Sequence, residues 1–267
     1  MPEERTTDTH PILFVHGALG DARTWGPVLD ALPFDVDARA ITLSYFGTAA
    51  WTGDGSDFGG ERHARDMEQF IDATMDAPVV VVAWSYSCHP ALLLAMRRPD
   101  LVAALILYEP VIGSFIEDDD RRGRFGADAA ACFGPVAEVL AEQGEEAAAH
   151  RLFDNVGHPG FIADLPEDRR RIALSNARTV PLLMGKGAPP IRIAADEIRA
   201  LDLPVIAAMG TETRPAFAIS ARALADIAPR GRLEVVEGAG HLLPESDPVR
   251  FAALVSEWLA YQPGDAR

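Results

Sequence analysis

Serine, cysteine and histidine crowd together in "VVVVAWSYSCHPALLLA", residues 79 to 95, where Ser85, Tyr86, Ser87, Cys88 and His89 follow a run of four valines. A hydroxyl or thiol becomes a useful nucleophile when a sharp strand-to-helix turn presents it to a general base. The β-branched run 79–82 has no polar face and predicts a strand buried on both sides. "ALLLAMRR" predicts a helix ending in two cations, with Pro90 tolerated in its first turn. A nucleophile at such a turn needs small residues two positions before and after it, so that strand and helix can pass closely. Ser85 has Ala83 and Ser87 there, whereas Ser87 has His89 on its far side and Cys88 has Tyr86 and Pro90. Ser85 is the candidate nucleophile, and Cys88 reads as a packed, inert helix residue. The flanks lack the glycines of the commonest form of the motif, and small residues at such a turn also serve packing alone.

A serine hydroxyl needs a base, and the base needs a carboxylate to orient it. "EGAGHLLPESDP" places His241 in a loop after the last strand-like run, beside Gly238 and Gly240, which puts it at the carboxyl edge of a sheet with Ser85. His10, His63, His89, His150 and His158 fall in a tail, a crossover, a helix start and a helical region, where surface or core roles are expected. "ILFVHGALGDARTW" adds a turn, His16 to Gly20, between a strand and a helix. It can aim the NH of Ala18 inward, and with the NH of Tyr86 that makes an oxyanion hole. Read by itself, the same turn is equally an ordinary tight turn with His16 bonded to backbone.

These residues require a scaffold that brings several strand ends to one edge. Short apolar runs recur at 12–15, 36–43, 79–83, 104–108, 204–209 and 232–236, and helical patterns separate most of them. Strand and helix in alternation predict a doubly wound, mostly parallel α/β sheet. The interval between the fourth and fifth runs is far longer than a crossover requires. It holds "PVAEVLAEQGEEAAAHRLFDNV" and "PEDRRRIALSNARTV", both with helical spacing, and ends in "PLLMGKGAPP". Residues 113–200 are therefore expected to form an inserted helical cap, with 1–112 and 201–267 as the core. "DPVRFAALVSEWLAY" predicts a final helix with Asp247 as N-cap and Pro248 in its first position.

Composition narrows the function classes. The chain has 267 residues, 48% of them hydrophobic, enough for a substantial core. Its 24 basic against 40 acidic residues give a formal charge of −16, which argues against nucleic acid and anionic membrane surfaces as partners. No apolar stretch approaches the roughly 18 residues of a membrane span, and "MPEERTTDTH" has no signal-like apolar run. Two cysteines, Cys88 and Cys132, make no disulfide framework, and no Cys/His spacing suggests zinc. A cytoplasmic, metal-free and cofactor-free protein is expected.

The ordered set "HGALG", "AWSYS" and "GAGH" on an alternating sheet with a cap before the last two strands resembles the α/β-hydrolase superfamily over nearly the whole chain. The resemblance implies the fold, a serine nucleophile, and a cleft between sheet edge and cap. Two features depart from the usual pattern. Too few residues precede "ILFV" for the extra hairpin with which the superfamily usually begins. Where many members carry an aspartate after the strand following the cap, this sequence reads Gly210, Thr211, Glu212, Thr213. Members with the acid after the pre-cap strand, and the zearalenone-type lactone hydrolases with a glutamate there, match "ALILYEPVI" and its Glu109. "ARTVP", residues 177–181, also resembles a stretch of those lactone hydrolases. Three acids are candidates for orienting His241. Asp202 precedes its strand and belongs at the wrong edge, Glu212 lies one position before the expected site, and Glu109 ends a strand at the right edge.

The leading expectation is a cofactor-free serine hydrolase that cleaves a neutral, hydrophobic carboxylic ester or lactone through an acyl-enzyme. Ser85, His241 and Glu109 would be its catalytic residues, and Leu19, Trp84, Ile172, Val180 and Leu183 would contact the substrate. A carbon-carbon bond hydrolase or lyase on the same residues, and a ligand-binding homologue without turnover, remain the alternatives. Superfamily members that form alkyl-enzymes use an aspartate nucleophile and are set aside.

Overall fold

With no polar face to show to water, Val79–Trp84 is buried throughout and forms the strand β3 inside a six-stranded sheet. The computed structural model describes residues 10–260. The other strands are β1 (Ile12–Val15), β2 (Ala38–Ile41), β4 (Val102–Tyr108), β5 (Val205–Gly210) and β6 (Gly231–Val236). They lie in the order β2-β1-β3-β4-β5-β6 and every pairing is parallel. The expectations for the start of the chain, no extra hairpin and no signal-like run, fall mainly on residues 1–9, which lie outside the described residues, as do residues 261–267.

Strand alternation feeds two cores. Val79, Val81 and Ala83 face one apolar cluster, while Val80, Val82 and Trp84 face the other, as successive side chains of a strand must. The first cluster is covered by α2 (Gly60–Thr74) and α3 (Cys88–Arg97). The short α1 (Gly26–Ala31) packs on the opposite face. Each fully buried valine contributes roughly 1.5–3 kcal/mol, so β3 anchors both faces at once.

Between β4 and β5 the chain makes α4 (Asp119–Gln143), α5 (Glu145–Val156), α6 (Phe161–Asp164), α7 (Glu167–Ser175) and α8 (Ala195–Arg199). α4 starts well before Pro135, the point at which its apolar spacing first becomes readable. Asp118 caps it by accepting from the Arg121 NH at 2.7 Å, and Asp119 and Asp120 favour its first turn. Gly144, at φ 88°, then separates α4 from α5. The two ends of the insert meet: the Ser114 hydroxyl donates to the Ile193 carbonyl at 2.8 Å and accepts from the Ile193 NH at 3.1 Å. The chain closes with α9 (Pro215–Ile227), α10 (Leu243–Ser246) and α11 (Pro248–Ala260). Asp247 accepts from the Arg250 NH at 3.1 Å, as an N-cap does. Among the described residues no helix is long and apolar enough to cross a membrane.

Polar anchors fix the loops at the carboxyl edge. Asn176, wholly buried, donates to Asp21 Oδ2 and the Ile172 carbonyl, both at 2.9 Å, and accepts from the Gly47 NH at 2.6 Å. It joins the insert to two core loops. His16 donates from Nδ1 to the Gly17 carbonyl at 2.9 Å and accepts the Leu43 NH on Nε2 at 3.2 Å. His63 donates from Nε2 to the Ser44 carbonyl at 3.1 Å. Burial lowers the pKa of His16 to about 4 and that of His63 to about 3, so both rings are neutral in the folded protein.

Asn176→Ala leaves the Gly47 NH and Asp21 short of buried partners. It should lower the thermal midpoint by roughly 5–10 °C, and a shift under 2 °C by scanning calorimetry would contradict the anchor. The histidines make a second prediction. The unfolded chain takes up protons on these rings below about pH 6.5, and the folded chain refuses them until about pH 4 and 3. Their contribution is thus complete above pH 6.5 and is lost as pH falls through that window. Between pH 7 and 5 the loss is on the order of 2 kcal/mol for each ring. The thermal midpoint should drop measurably from pH 7 to pH 5, and equal midpoints would refute the assignment.

Candidate active site

Ser85 sits where β3 turns into α3, with φ 56°, a left-handed backbone that costs a non-glycine residue about 1–3 kcal/mol. The surroundings hold it there. Ser87 donates its hydroxyl to the Val15 carbonyl at 2.9 Å and accepts from the Trp84 NH at 3.1 Å, which stitches the turn to β1. Ser87, the flank after Ser85, is thus a hydrogen-bonding element as well as a small residue. Cys88 is fully buried with its sulfur 3.4 Å from the Ala83 carbonyl, and burial raises its thiol well above the ordinary value.

His241 comes from the loop between β6 and α10. Its Nε2 lies 3.0 Å from Ser85 Oγ, and its Nδ1 lies 2.7 Å from Glu109 Oε2. The carboxylate can only accept, so Nδ1 carries the proton and Nε2 presents a lone pair to the serine hydroxyl. Phe217 of α9 stacks on the ring, with centroids 4.1 Å apart and planes at 17°. Trp84 donates its indole NH to the His241 carbonyl at 3.0 Å, and Tyr108 donates its hydroxyl to the Gly240 carbonyl at 2.7 Å. Neither clamp was legible in the sequence, beyond the fact that these residues directly precede Ser85 and Glu109.

Glu109 directly follows β4, at φ 51°, and is fully buried. Besides His241, it accepts from the Gly210 NH at 2.9 Å and from the Thr213 hydroxyl at 2.6 Å. Thr213 occupies the position where many superfamily members carry an aspartate, and there it holds the glutamate in place. Glu212 is exposed, and its backbone NH donates to the Ala239 carbonyl at 2.9 Å. Asp202 is exposed before β5.

The turn from His16 to Gly20 reaches the elbow because Gly17 has no side chain: a Cβ there would lie 3.2 Å from the Trp84 ring. The left-handed position of the turn is Leu19, at φ 60°. Neither the Ala18 NH nor the Tyr86 NH takes part in the turn and cap hydrogen bonds found among the described residues. Leu19, Trp84 and Val180 share one apolar cluster, Leu183 packs half-buried against the other, and Ile172 is buried on α7. Trp84 and Val180 have 2% and 0% exposure, and Ser85 itself only 9%, so the site is closed. A cavity of about 500 Å³ opens elsewhere, between α6, α7 and α10, beside Arg169 and Glu245, and it includes none of these residues.

A hydroxyl on a left-handed turn, an imidazole accepting from it and a buried carboxylate fixing the imidazole can together transfer a proton and generate an alkoxide. The Alpha/beta hydrolase family matches residues 12–254. Lipase LipV of Mycobacterium tuberculosis is 25% identical, covering 91% of this chain and 91% of its own. A putative 2-succinyl-6-hydroxy-2,4-cyclohexadiene-1-carboxylate synthase of Bacillus subtilis is 24% identical, covering 97% and 93%. The esterase RhEst1 from Rhodococcus sp. ECU1013 superimposes with a TM-score of 0.73 at 20% identity, over 94% of this chain and 90% of that one. The family match spans the sheet, the insert and all three strand ends that meet at Ser85, and this chain belongs to the alpha/beta hydrolase family.

Proposed function

We propose that the protein is a cofactor-independent serine hydrolase that cleaves a neutral, hydrophobic carboxylic ester or lactone through an acyl-enzyme. The observation that carries the reading is the continuous hydrogen-bonded path from Ser85 through His241 to Glu109, at 3.0 and 2.7 Å. In this reading Ser85 Oγ attacks the acyl carbon while His241 Nε2 takes the hydroxyl proton. The carbonyl oxygen becomes an oxyanion held by the NH groups of Ala18 and Tyr86. The imidazolium returns its proton to the leaving alkoxide, and the acyl group stays on Ser85. Water, deprotonated by His241, then attacks the ester of Ser85, and the proton returns to Oγ as the carboxylic acid departs.

Residues 113–200 act as the cap over this edge, on a core of 1–112 and 201–267. Leu19, Ile172, Val180 and Leu183 offer the apolar walls and Trp84 the floor beneath His241, which suits a substrate with few charges. The formal charge of −16 also favours release of a carboxylate product. The lipase and esterase relatives support ester chemistry, and Glu109 directly after β4 supports the likeness to zearalenone-type lactone hydrolases. A cytoplasmic location fits the composition.

The relative named as a carboxylate synthase favours a second reading, carbon-carbon bond chemistry on the same residues. An anionic substrate needs a cation that no carboxylate neutralises: Arg23 and Arg169 pair with Asp21 and Glu245, whereas Arg178 donates to the neutral carbonyls of Gly47 and Ala49 and keeps its buried Nε without a partner among the described residues.

A fluorophosphonate probe should modify Ser85 in the wild type and leave Ser85→Ala unmodified, as read by peptide mass mapping. Absence of labelling together with no hydrolysis of p-nitrophenyl esters would favour a binding protein. Neutral aryl and macrocyclic lactones should be turned over faster than charged esters, and the opposite preference would overturn the substrate class. Glu109→Gln should lower kcat by about 10³–10⁴-fold with the fold intact by circular dichroism, because the amide favours the wrong imidazole tautomer. Glu212→Gln should stay within about twofold. The reverse ranking would transfer the acid's role to Glu212.

A further inference from the structure

Tyr86 would supply an oxyanion donor from its backbone, and its side chain is anchored at both its hydroxyl and its ring. Its hydroxyl lies 2.7 Å from His63 Nδ1 on α2. The other nitrogen of that ring faces the Ser44 carbonyl, which can only accept, so the proton resides on Nε2 and Nδ1 accepts from the phenol. Ser44 is itself fixed, since Asp66 accepts its NH at 2.8 Å and its hydroxyl at 2.9 Å. The Tyr86 ring stacks on Phe58 at 5.8 Å and 28°, and Phe46 lies at 6.0 Å. Burial keeps the phenol protonated and the imidazole neutral, so this bond does not change with pH in the working range.

The other donor turn is tied to the same place. The Leu43 NH donates to His16 Nε2, and His16 Nδ1 donates to the Gly17 carbonyl, one residue before Ala18. Residues 43 and 44 therefore grip both turns through two neutral imidazoles of opposite tautomer, which pack about Phe46 at 4.7 and 5.7 Å. Neither imidazole takes part in the proton transfers at Ser85. An oxyanion hole requires donors fixed before charge develops, at separations set to a few tenths of an ångström.

We infer that His63 is a positioning residue for the oxyanion: by holding the Tyr86 hydroxyl it fixes the 85–86 peptide, whose NH faces the developing charge. The inference rests on the serine-hydrolase reading proposed above. Its mark is a loss of transition-state binding without a loss of substrate binding, which a purely structural bond would not show.

Tyr86→Phe removes one oxygen and keeps the ring, so it tests the bond with the least disturbance. His63→Leu and the double variant complete a cycle. The measurements are kcat and KM on p-nitrophenyl butyrate, and the affinity of an aryl trifluoromethyl ketone, whose hemiketal on Ser85 carries an oxyanion, by ¹⁹F NMR. Tyr86→Phe should lower kcat and ketone affinity in parallel by about tenfold with KM within about twofold, and the double variant should be no worse than His63→Leu. If kcat and ketone affinity stay within about twofold while the melting temperature falls, the bond is structural and the inference fails. A rise in KM at constant kcat also overturns it. If His63→Leu does not fold, Tyr86→Phe alone decides. A wild type that neither hydrolyses esters nor forms the ketone adduct sinks the hydrolase reading and this inference with it, whereas a wild type that does both isolates the question to Tyr86.

Discussion

A carboxylate with no accessible surface must have its oxygens satisfied inside the protein, and Glu109 imposes that demand on the whole carboxyl edge of the sheet. Its three donors come from three places: the last residue of β5, the loop after β5, and the loop after β6. To deliver the Gly210 NH, the end of β5 presses against the His241 loop so closely that a Cβ on residue 210 would lie 1.9 Å from the Ala239 carbonyl oxygen. Glycine is required there by contact, not by a left-handed turn. Glu109 in turn adopts a left-handed backbone at the end of β4. The strand ends are arranged around the carboxylate, and the imidazole is one of the groups so arranged.

The placement of His241 is locked to the sheet register by its partners' neighbours. Trp84 and Tyr108 are paired in β3 and β4, so their side chains leave the same face of the sheet, and each precedes a member of the hydrogen-bonded path. One holds the carbonyl of His241 and the other that of Gly240. Trp25 and Phe251 fill the space beneath them, Trp25 at 6.2 Å from Trp84 and Phe251 at 5.3 Å from Tyr108. Each such bond contributes only about 1 kcal/mol to stability. Their larger effect is geometric, because a slip between β3 and β4 would displace Ser85 from Glu109 and pull the His241 loop from one of its two clamps.

The sequence disclosed what depends on local pattern. All six strands, the face alternation of β3, the flanks that single out Ser85 and the cap of α11 follow from residue size, branching and period. What stayed hidden depends on where a side chain's tip arrives after the chain has folded. The indole NH of Trp84 meets a carbonyl far away in sequence. Thr213 stands where many superfamily members carry an aspartate, and only the fold shows its hydroxyl donating to Glu109. His63 looked like an ordinary crossover histidine until Tyr86 came within reach. The start of α4 escaped for another reason: residues 119–134 carry three glycines and few large apolar side chains, so the period is faint although Asp118 and the acidic first turn mark its beginning.

The insert and the turn after β1 are not independent parts. Asp21 caps the short helical turn Ala22–Trp25 that follows "HGALG", accepting from the Arg23 NH at 3.0 Å, and its second oxygen accepts from Asn176 of the insert at 2.9 Å. Arg178, two residues on, donates to the Gly47 and Ala49 carbonyls and lies over the Trp51 ring at 5.1 Å. "ARTVP" is thus a stretch by which the insert grips the core. One carboxylate serves both the order of the turn that carries the Ala18 NH and the seating of the helices between β4 and β5. With Ser85 only 9% exposed, the hydrogen bonds among serine, imidazole and carboxylate act in a medium of low polarity, where their geometry has its greatest electrostatic effect.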